Sequence, residues 1–134
     1  MGKPLGQHFL FDPNILRKII HCAGITKDDT VVEIGPGLGT LTKFLSLSAG
    51  KVIAIEIDKR LIDKLKDIFS DSPNVEIVSA DALKFPYDTI GGKFKVVANI
   101  PYNITTPLLF KLLEFKDSLQ SMTLLMQKEV ARRI

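Results

Sequence analysis

The sequence predicts an α/β fold: a mostly parallel sheet with flanking helices. Three observations predict it. Short β-branched runs alternate with longer segments of helical period, turns rich in Gly, Pro and Asp separate them, and the residues suited to chemistry stand where the strand-like runs end. In parallel sheets with right-handed crossovers, ligands sit outside the carboxyl ends of the strands.

Each element has its own signal. Residues 13–23 (PNILRKIIHCA) carry Ile15, Ile19 and Ile20 at helical spacing, with Asp12 as N-cap, Pro13 in the first turn and Gly24 as the stop. Residues 30–34 (TVVEI) are short and β-branched, a buried strand. Residues 40–49 read as a helix stopped at Gly50, and 51–57 (KVIAIEI) as the second strand. Asp58 opens a strongly amphipathic helix through Phe69. The turn Asp71-Ser72-Pro73-Asn74 leads to a strand at 75–79, and residues 80–93 read as a loop with Pro86 and Gly91-Gly92. A fourth strand is expected at 95–100, a helix at 105–115 with Pro107 in its first turn, a fifth strand at 121–127 and another helix from Lys128.

Composition narrows the class. A chain of 134 residues, 46% hydrophobic and 25% charged, is the size of one modest domain. No apolar run approaches the roughly 18 residues of a membrane span, so no membrane association is expected. The start has no apolar signal-peptide core, and Gly6 stands where a myristoylation motif wants Ser or Thr. The cytoplasm is the expected compartment. A single cysteine, Cys22, excludes an internal disulfide, and with only His8 and His21 besides, no metal site is expected. His21 is expected on the helix surface and Cys22 half-buried. A net charge of +3 suits an anionic partner such as RNA without demanding one.

The strand ends carry the chemistry. Strand one runs into Glu33-Ile34-Gly35-Pro36-Gly37-Leu38-Gly39-Thr40, where Gly35 and Gly37 let the backbone turn tightly and approach a ligand at a helix N-terminus. The spacing G-x-G-x-G disfavours a dinucleotide site, and no G-K-[ST] follows, so it is not a P-loop. A purely structural turn is the competing reading. Strand two ends in Glu56-Ile57-Asp58. Glu56, about 20 residues after the first glycines, suits the two hydroxyls of a ribose, whereas Asp58 suits a helix cap. Asp81, after strand three, suits an adenine exocyclic amine or, more plainly, a loop cap. Together these describe an adenosine-containing cofactor held without a phosphate grip, and S-adenosylmethionine (SAM) fits.

Strand four closes on Asn99-Ile100-Pro101-Tyr102. An aromatic NH2 is a poor nucleophile because its lone pair is delocalised. The Asn99 side-chain oxygen and the Ile100 carbonyl can accept from both its N–H groups and aim the nitrogen at a methyl donor. Pro101 stiffens that backbone, and Tyr102 offers a ring on which a flipped-out base can stack. Catalysis of this kind is positioning and electrostatics.

The stretches GQHFL (6–10), EIGPGLGTLT (33–42), IEID (55–58), DAL (81–83), NIPYNITTP (99–107) and MQKEVARRI (126–134) resemble the ribosomal RNA adenine N6,N6-dimethyltransferase family, above all its small-subunit, kasugamycin-sensitivity branch. The resemblance covers the whole chain, and GQHFL followed by NIPYNITTP is highly specific. It implies a Rossmann-like SAM-dependent methyltransferase fold. It also implies that His8 and Leu10 border the cofactor, Gly35 contacts its methionine part, Glu56 its ribose and Asp81 its adenine. Asn99 would sit where cofactor and target base meet, with Tyr102 stacking on the base. Many relatives have Asn in place of His8, and either side chain can hydrogen-bond. The family dimethylates two adjacent adenosines near the 3′ end of small-subunit rRNA during ribosome assembly. The implied partner is therefore an immature small ribosomal subunit.

Family members continue well past the position of Ile134, completing the sheet and adding a helical RNA-binding domain. Residues 1–134 are therefore expected to be a partial catalytic domain, truncated before the last strands. That piece is expected to be inactive on ribosomal subunits and able to self-associate, and the full-length protein to be a monomer. Three alternatives remain. One is the large-subunit rRNA adenine dimethylase of antibiotic resistance, against which Pro107 after NITT argues modestly. Another is a glutamine-amide methyltransferase, which typically carries N-P-P-Y. The third is an RNA-binding assembly or transcription factor with the same fold and no turnover.

Overall fold

The computed structural model describes residues 12–125. His8, Leu10 and the helix expected from Lys128 lie outside the described residues. Element order is α1 (Pro13–Cys22), β1 (Thr30–Ile34), α2 (Thr40–Ser48), β2 (Lys51–Glu56), α3 (Lys59–Ile68), β3 (Val75–Ser79), a 3-10 turn (Tyr87–Ile90), β4 (Phe94–Ala98), α4 (Tyr102–Leu113) and β5 (Leu119–Leu124).

The five strands form one sheet in the order β3-β2-β1-β4-β5, and every pairing is parallel. The chain lays β2 and β3 to one side of β1, then returns to place β4 on the other. The direction of winding thus reverses between β1 and β4, the switch point at which open α/β sheets bind ligands.

Both faces of the sheet are covered at its centre, so the three inner strands read as nearly continuous buried runs rather than alternating ones. Val32, Ile34, Ile53, Ile55, Val96 and Ala98 pack on one face with Tyr87, Leu108 and Leu112. Val31, Val52 and Val97 pack on the other with Leu16 and Ile19 of α1 and Leu41 and Leu45 of α2. The Asp12 carboxylate accepts the Asn14 N–H at 2.9 Å and so caps α1 as expected. The buried stripe of α1 is Leu16 and Ile19, with Ile15 and Ile20 half-buried beside it. His21 and Cys22 are both exposed; the half-buried position expected for Cys22 is overturned because the last turn of α1 carries both outward past that stripe.

Three elements depart most from expectation at their ends. The fourth strand ends at Ala98, since Pro101 has no N–H to extend a ladder, although the Asn99 N–H still reaches the Ile34 carbonyl at 3.0 Å. The fifth begins at Leu119, paired with Phe94, and its strand geometry stops at Leu124. The helix expected from Thr105 begins at Tyr102, with Pro101 extended at φ −60°, ψ 146° as its N-cap residue, so Pro107 stands inside it rather than in its first turn. An interior proline costs about 3 kcal/mol. Leu108 and Leu112 are fully buried, and at about 1.5–3 kcal/mol each they offset that cost. The loop at 80–93 also contains more order than expected. Tyr87 is buried there between Phe85, Phe94 and Phe115, and its hydroxyl donates to the Ala82 carbonyl at 2.8 Å.

Candidate functional site

Register alone brings the strand ends together. Ile34 is level with Ile55 on one side and Ala98 on the other, and Glu56 is level with Ser79. The next residue along each strand therefore puts Gly35, Glu56 and Asn99 in one row at the carboxyl edge. Two further bonds hold the row beyond the regular strands: the Gly35 N–H donates to the Ile55 carbonyl at 3.1 Å, and the Ala80 N–H to the Glu56 carbonyl at 3.1 Å. Asp81 follows directly.

At the switch point the two loops touch. Gly35 has φ 78°, and a Cβ added there would lie 2.6 Å from the Asn99 carbonyl oxygen and 3.6 Å from Cγ2 of Ile100. Glycine is required on both counts. Gly37, two residues on, faces open space, with nothing within 4 Å of where a Cβ would be.

Glu56 is only 6% exposed. Its Oε1 accepts the Gly37 N–H at 3.1 Å and its Oε2 the Asp58 N–H at 2.9 Å, so the carboxylate ties the end of β2 to the glycine loop. Two carboxylate oxygens offer about four acceptor positions, which leaves room for two hydroxyls. Asp58 is committed elsewhere. Its carboxylate caps α3 through the Arg60 N–H at 2.9 Å and pairs with the Arg60 guanidinium at 2.8 Å, and these bonds hold it below the usual carboxylate range. Asp58 caps α3 as expected from sequence, and the Glu56 carboxylate stands at the end of β2 against the glycine loop.

Asp81 uses Oδ1 to accept the Leu83 N–H at 2.9 Å. It therefore does cap its own loop, while its other oxygen has no hydrogen-bond partner among the described residues. Burial, with the Asp81 charge adding to it, pushes the Tyr87 hydroxyl well above its ordinary pKa, so that hydroxyl stays protonated as a structural donor. Ile57 and Leu38 are exposed beside this polar row. A floor of carboxylate and backbone groups, an open space at Gly37 and an apolar rim fit an adenosine-bearing ligand.

The Asn99-Ile100-Pro101-Tyr102 segment completes the cleft. No hydrogen bond ties the Asn99 side-chain amide to the protein among the described residues, so its oxygen is free to accept. Ile100 is half-buried, Pro101 is exposed, and Tyr102 is 63% exposed as the first residue of α4. A ring held at a helix start yet open to solvent is suited to stacking. Among the described residues no cluster of three or more His, Cys, Asp or Glu can hold a metal ion.

Sequence reasoning missed one feature of this site. Glu33 is 1% exposed in β1 and accepts a hydrogen bond from the hydroxyl of Thr42, which is 0% exposed in α2. Burial pushes the Glu33 carboxyl up to about 7; the Thr42 hydroxyl draws it down and the nearby Glu56 charge raises it further. The signal was present: an acid inside TVVEI, a run otherwise fit for a doubly covered strand.

Comparison with known proteins agrees with this geometry. A family model described as ribosomal RNA adenine dimethylase matches residues 2–134. The ribosomal RNA small subunit methyltransferase A of Alkaliphilus metalliredigens is 49% identical across 99% of this chain. The chain spans about half the length of the curated relatives it matches, 48% in that case. Among solved structures, the 23S rRNA methyltransferase ErmE superposes with a TM-score of 0.75 at 35% identity, covering 90% of this chain and 48% of that one. A dimethyladenosine transferase from Plasmodium falciparum superposes with a TM-score of 0.70 at 41% identity, covering 91% of this chain and 44% of that one. The shared architecture is the Rossmann-like fold of SAM-dependent methyltransferases.

Proposed function

The chain belongs to the ribosomal RNA adenine dimethylase family, and from that premise we propose that it carries the catalytic machinery for methylating the exocyclic N6 of adenosine in small-subunit rRNA. Two adjacent adenosines near the 3′ end are the proposed targets, each taken to N6,N6-dimethyladenosine. The observation that supports this reading most directly is the row Gly35, Glu56 and Asn99 at the switch point, with Asp81 next to it.

SAM supplies the methyl group. The chain's own residues bind and orient. Glu56 accepts from the ribose hydroxyls with the lone pairs left over from Gly37 and Asp58. Asp81 accepts from the adenine amine, and the backbone at Gly35 and Gly37 lets the methionine part approach. The Asn99 side chain and the Ile100 carbonyl accept the two N–H bonds of the target amine, which localises its lone pair and aims it. Tyr102 stacks on the extruded base, and Pro101 limits the backbone motion that would blur this aim. No strong base is needed, because the nitrogen becomes acidic once methylated. Rate enhancement then comes from alignment.

Partner and compartment follow from that substrate: an immature small ribosomal subunit, met in the cytoplasm. We read residues 1–134 as part of a catalytic domain that works with a helical RNA-binding domain; the half-length match to relatives supports this. The full-length protein is proposed to be monomeric. Similarity to a 23S rRNA methyltransferase supports a second reading, in which the target lies in the large subunit. Mass spectrometry of nucleosides after full-length protein meets SAM and immature small subunits tests both. Dimethyladenosine in small-subunit rRNA is expected. Its absence there, with methylation of large-subunit rRNA in a parallel reaction, would replace the first reading by the second.

A further inference from the structure

The steps above make no use of Glu33 and Thr42, although both are wholly buried next to the site. Glu33 shares a face of the sheet with Val31, and Glu56 shares that face with Val52 one strand over, so the two acids are diagonal neighbours beneath the glycine loop. Between Glu33 and Thr42 the chain passes Gly35, Gly37 and Gly39, all at positive φ. Three such residues in so short a span give this loop unusual freedom to lose on ordering. At its far end α2 starts from Gly39 with no capping side chain. The Thr42 hydroxyl bonded to Glu33 is the side-chain hydrogen bond that ties the first turn of α2 to β1.

Packing does not require an acid at this position. The core on this face of the sheet is built from Leu16 and Ile19 of α1, Leu41 and Leu45 of α2 and Val97 of β4, which is level with Glu33, while the Thr42 hydroxyl is the group bonded to Glu33. The charged group acting on it among the described residues is Glu56 of β2, of the same sign. A buried carboxyl with no cationic partner among the described residues is costlier than a leucine of similar size, and its presence calls for a role at the site.

We propose that Glu33 is a positioning residue of the cofactor cleft: through Thr42 it holds the first turn of α2, and with it the glycine loop, while lying with Glu56 as a second acid beneath a cationic ligand. This rests on reading SAM, whose sulfonium and ammonium groups are positive, as the cofactor. Burial holds the Glu33 carboxyl near pH 7 in the free protein, the Thr42 hydroxyl opposing and the Glu56 charge adding to that rise. A cation in the cleft favours the ionised form. Affinity for SAM therefore rises as pH rises through that region, and binding releases a proton.

The test is calorimetry of the full-length protein with SAM at about pH 6 and about pH 8. Wild type is expected to bind about three- to fivefold more tightly at the higher pH, the range set by a shift of up to about one pKa unit from about 7. Glu33→Gln keeps an acceptor for Thr42 but cannot ionise, and its affinity should lack that part of the pH dependence. Thr42→Val should raise the SAM KM about tenfold, the loss of one buried hydrogen bond, with kcat at saturating SAM little changed, and Thr42→Ser should restore it. A Glu33→Gln profile as steep as wild type overturns the proposal, as does a Thr42→Ser variant as weak as Thr42→Val. If Glu33→Gln fails to fold by circular dichroism, the Thr42 pair decides. A wild-type protein that binds no SAM at either pH removes the proposed function, and this inference with it.

Discussion

The Asn99 carbonyl oxygen lies 2.6 Å from the point where a Cβ on Gly35 would stand, so the loops after β1 and β4 meet through a missing side chain. This contact sets how closely the two sides of the cleft approach. Gly35→Ala is expected to destabilise the protein by at least about 1–2 kcal/mol from the positive φ alone, and more as the Asn99 backbone is pushed away. Denaturant unfolding measures the stability loss, and calorimetry should show SAM affinity falling with it. Unaltered stability would mean that the loops are not held together as described.

Glu56→Ala should weaken SAM binding by at least about 1.5 kcal/mol, since it removes a charged acceptor and releases the Gly37 and Asp58 N–H groups it now holds. Glu56→Gln keeps one acceptor and should lose less. Isothermal calorimetry on the full-length protein separates the two variants, and equal, wild-type affinities would remove Glu56 from the ribose site.

Asn99 and Tyr102 should differ in what they affect. Asn99→Ala is expected to abolish most methyl transfer in single-turnover assays while SAM affinity changes little, because its side chain is proposed to accept from the target amine. Tyr102→Ala, at an exposed ring, should weaken base capture by about 1–3 kcal/mol without unfolding the protein. Near-normal transfer by Asn99→Ala would end the amine-aiming mechanism.

Glu33 should leave a mark on stability as well as on binding. A carboxyl whose folded pKa is raised from 4.5 to about 7 contributes stability that is fully present below about pH 4.5 and is lost as pH rises to about 7, with no further change above. The loss is about 3 kcal/mol over that window. Glu33→Gln cannot ionise, so urea unfolding between about pH 5 and 8 should show a shallower fall for the variant than for wild type. Parallel curves would mean that Glu33 titrates like an exposed glutamate.

Among the described residues β5 has no neighbour on its outer edge, Leu124 within it is exposed, and α4 exposes Leu109, Phe110 and Leu113. An open edge beside apolar surface invites pairing. The 134-residue chain is expected to self-associate in sedimentation at high concentration, and to do so less when Leu124 is replaced by Lys. A monomer at all concentrations would contradict this.

Sequence alone determined the alternation of strands and helices, because burial on both faces demands uninterrupted runs such as TVVEI and VIAIE, and Gly24 and Gly50 mark where the first two helices stop. It also placed Gly35, Glu56, Asp81 and Asn99 at strand ends, and a parallel sheet carries every strand end to one edge. What it could not supply was distance. That α4 begins at Tyr102 rather than Thr105 depends on Leu108 and Leu112 finding the sheet, a packing gain that outweighs the local signal of Pro107. That Gly35 touches Asn99, that Glu56 holds Gly37 and that Glu33 reaches Thr42 are contacts between residues on different elements. Period and propensity act over a few neighbouring residues, so only the sheet's register and strand order decided which strand ends meet.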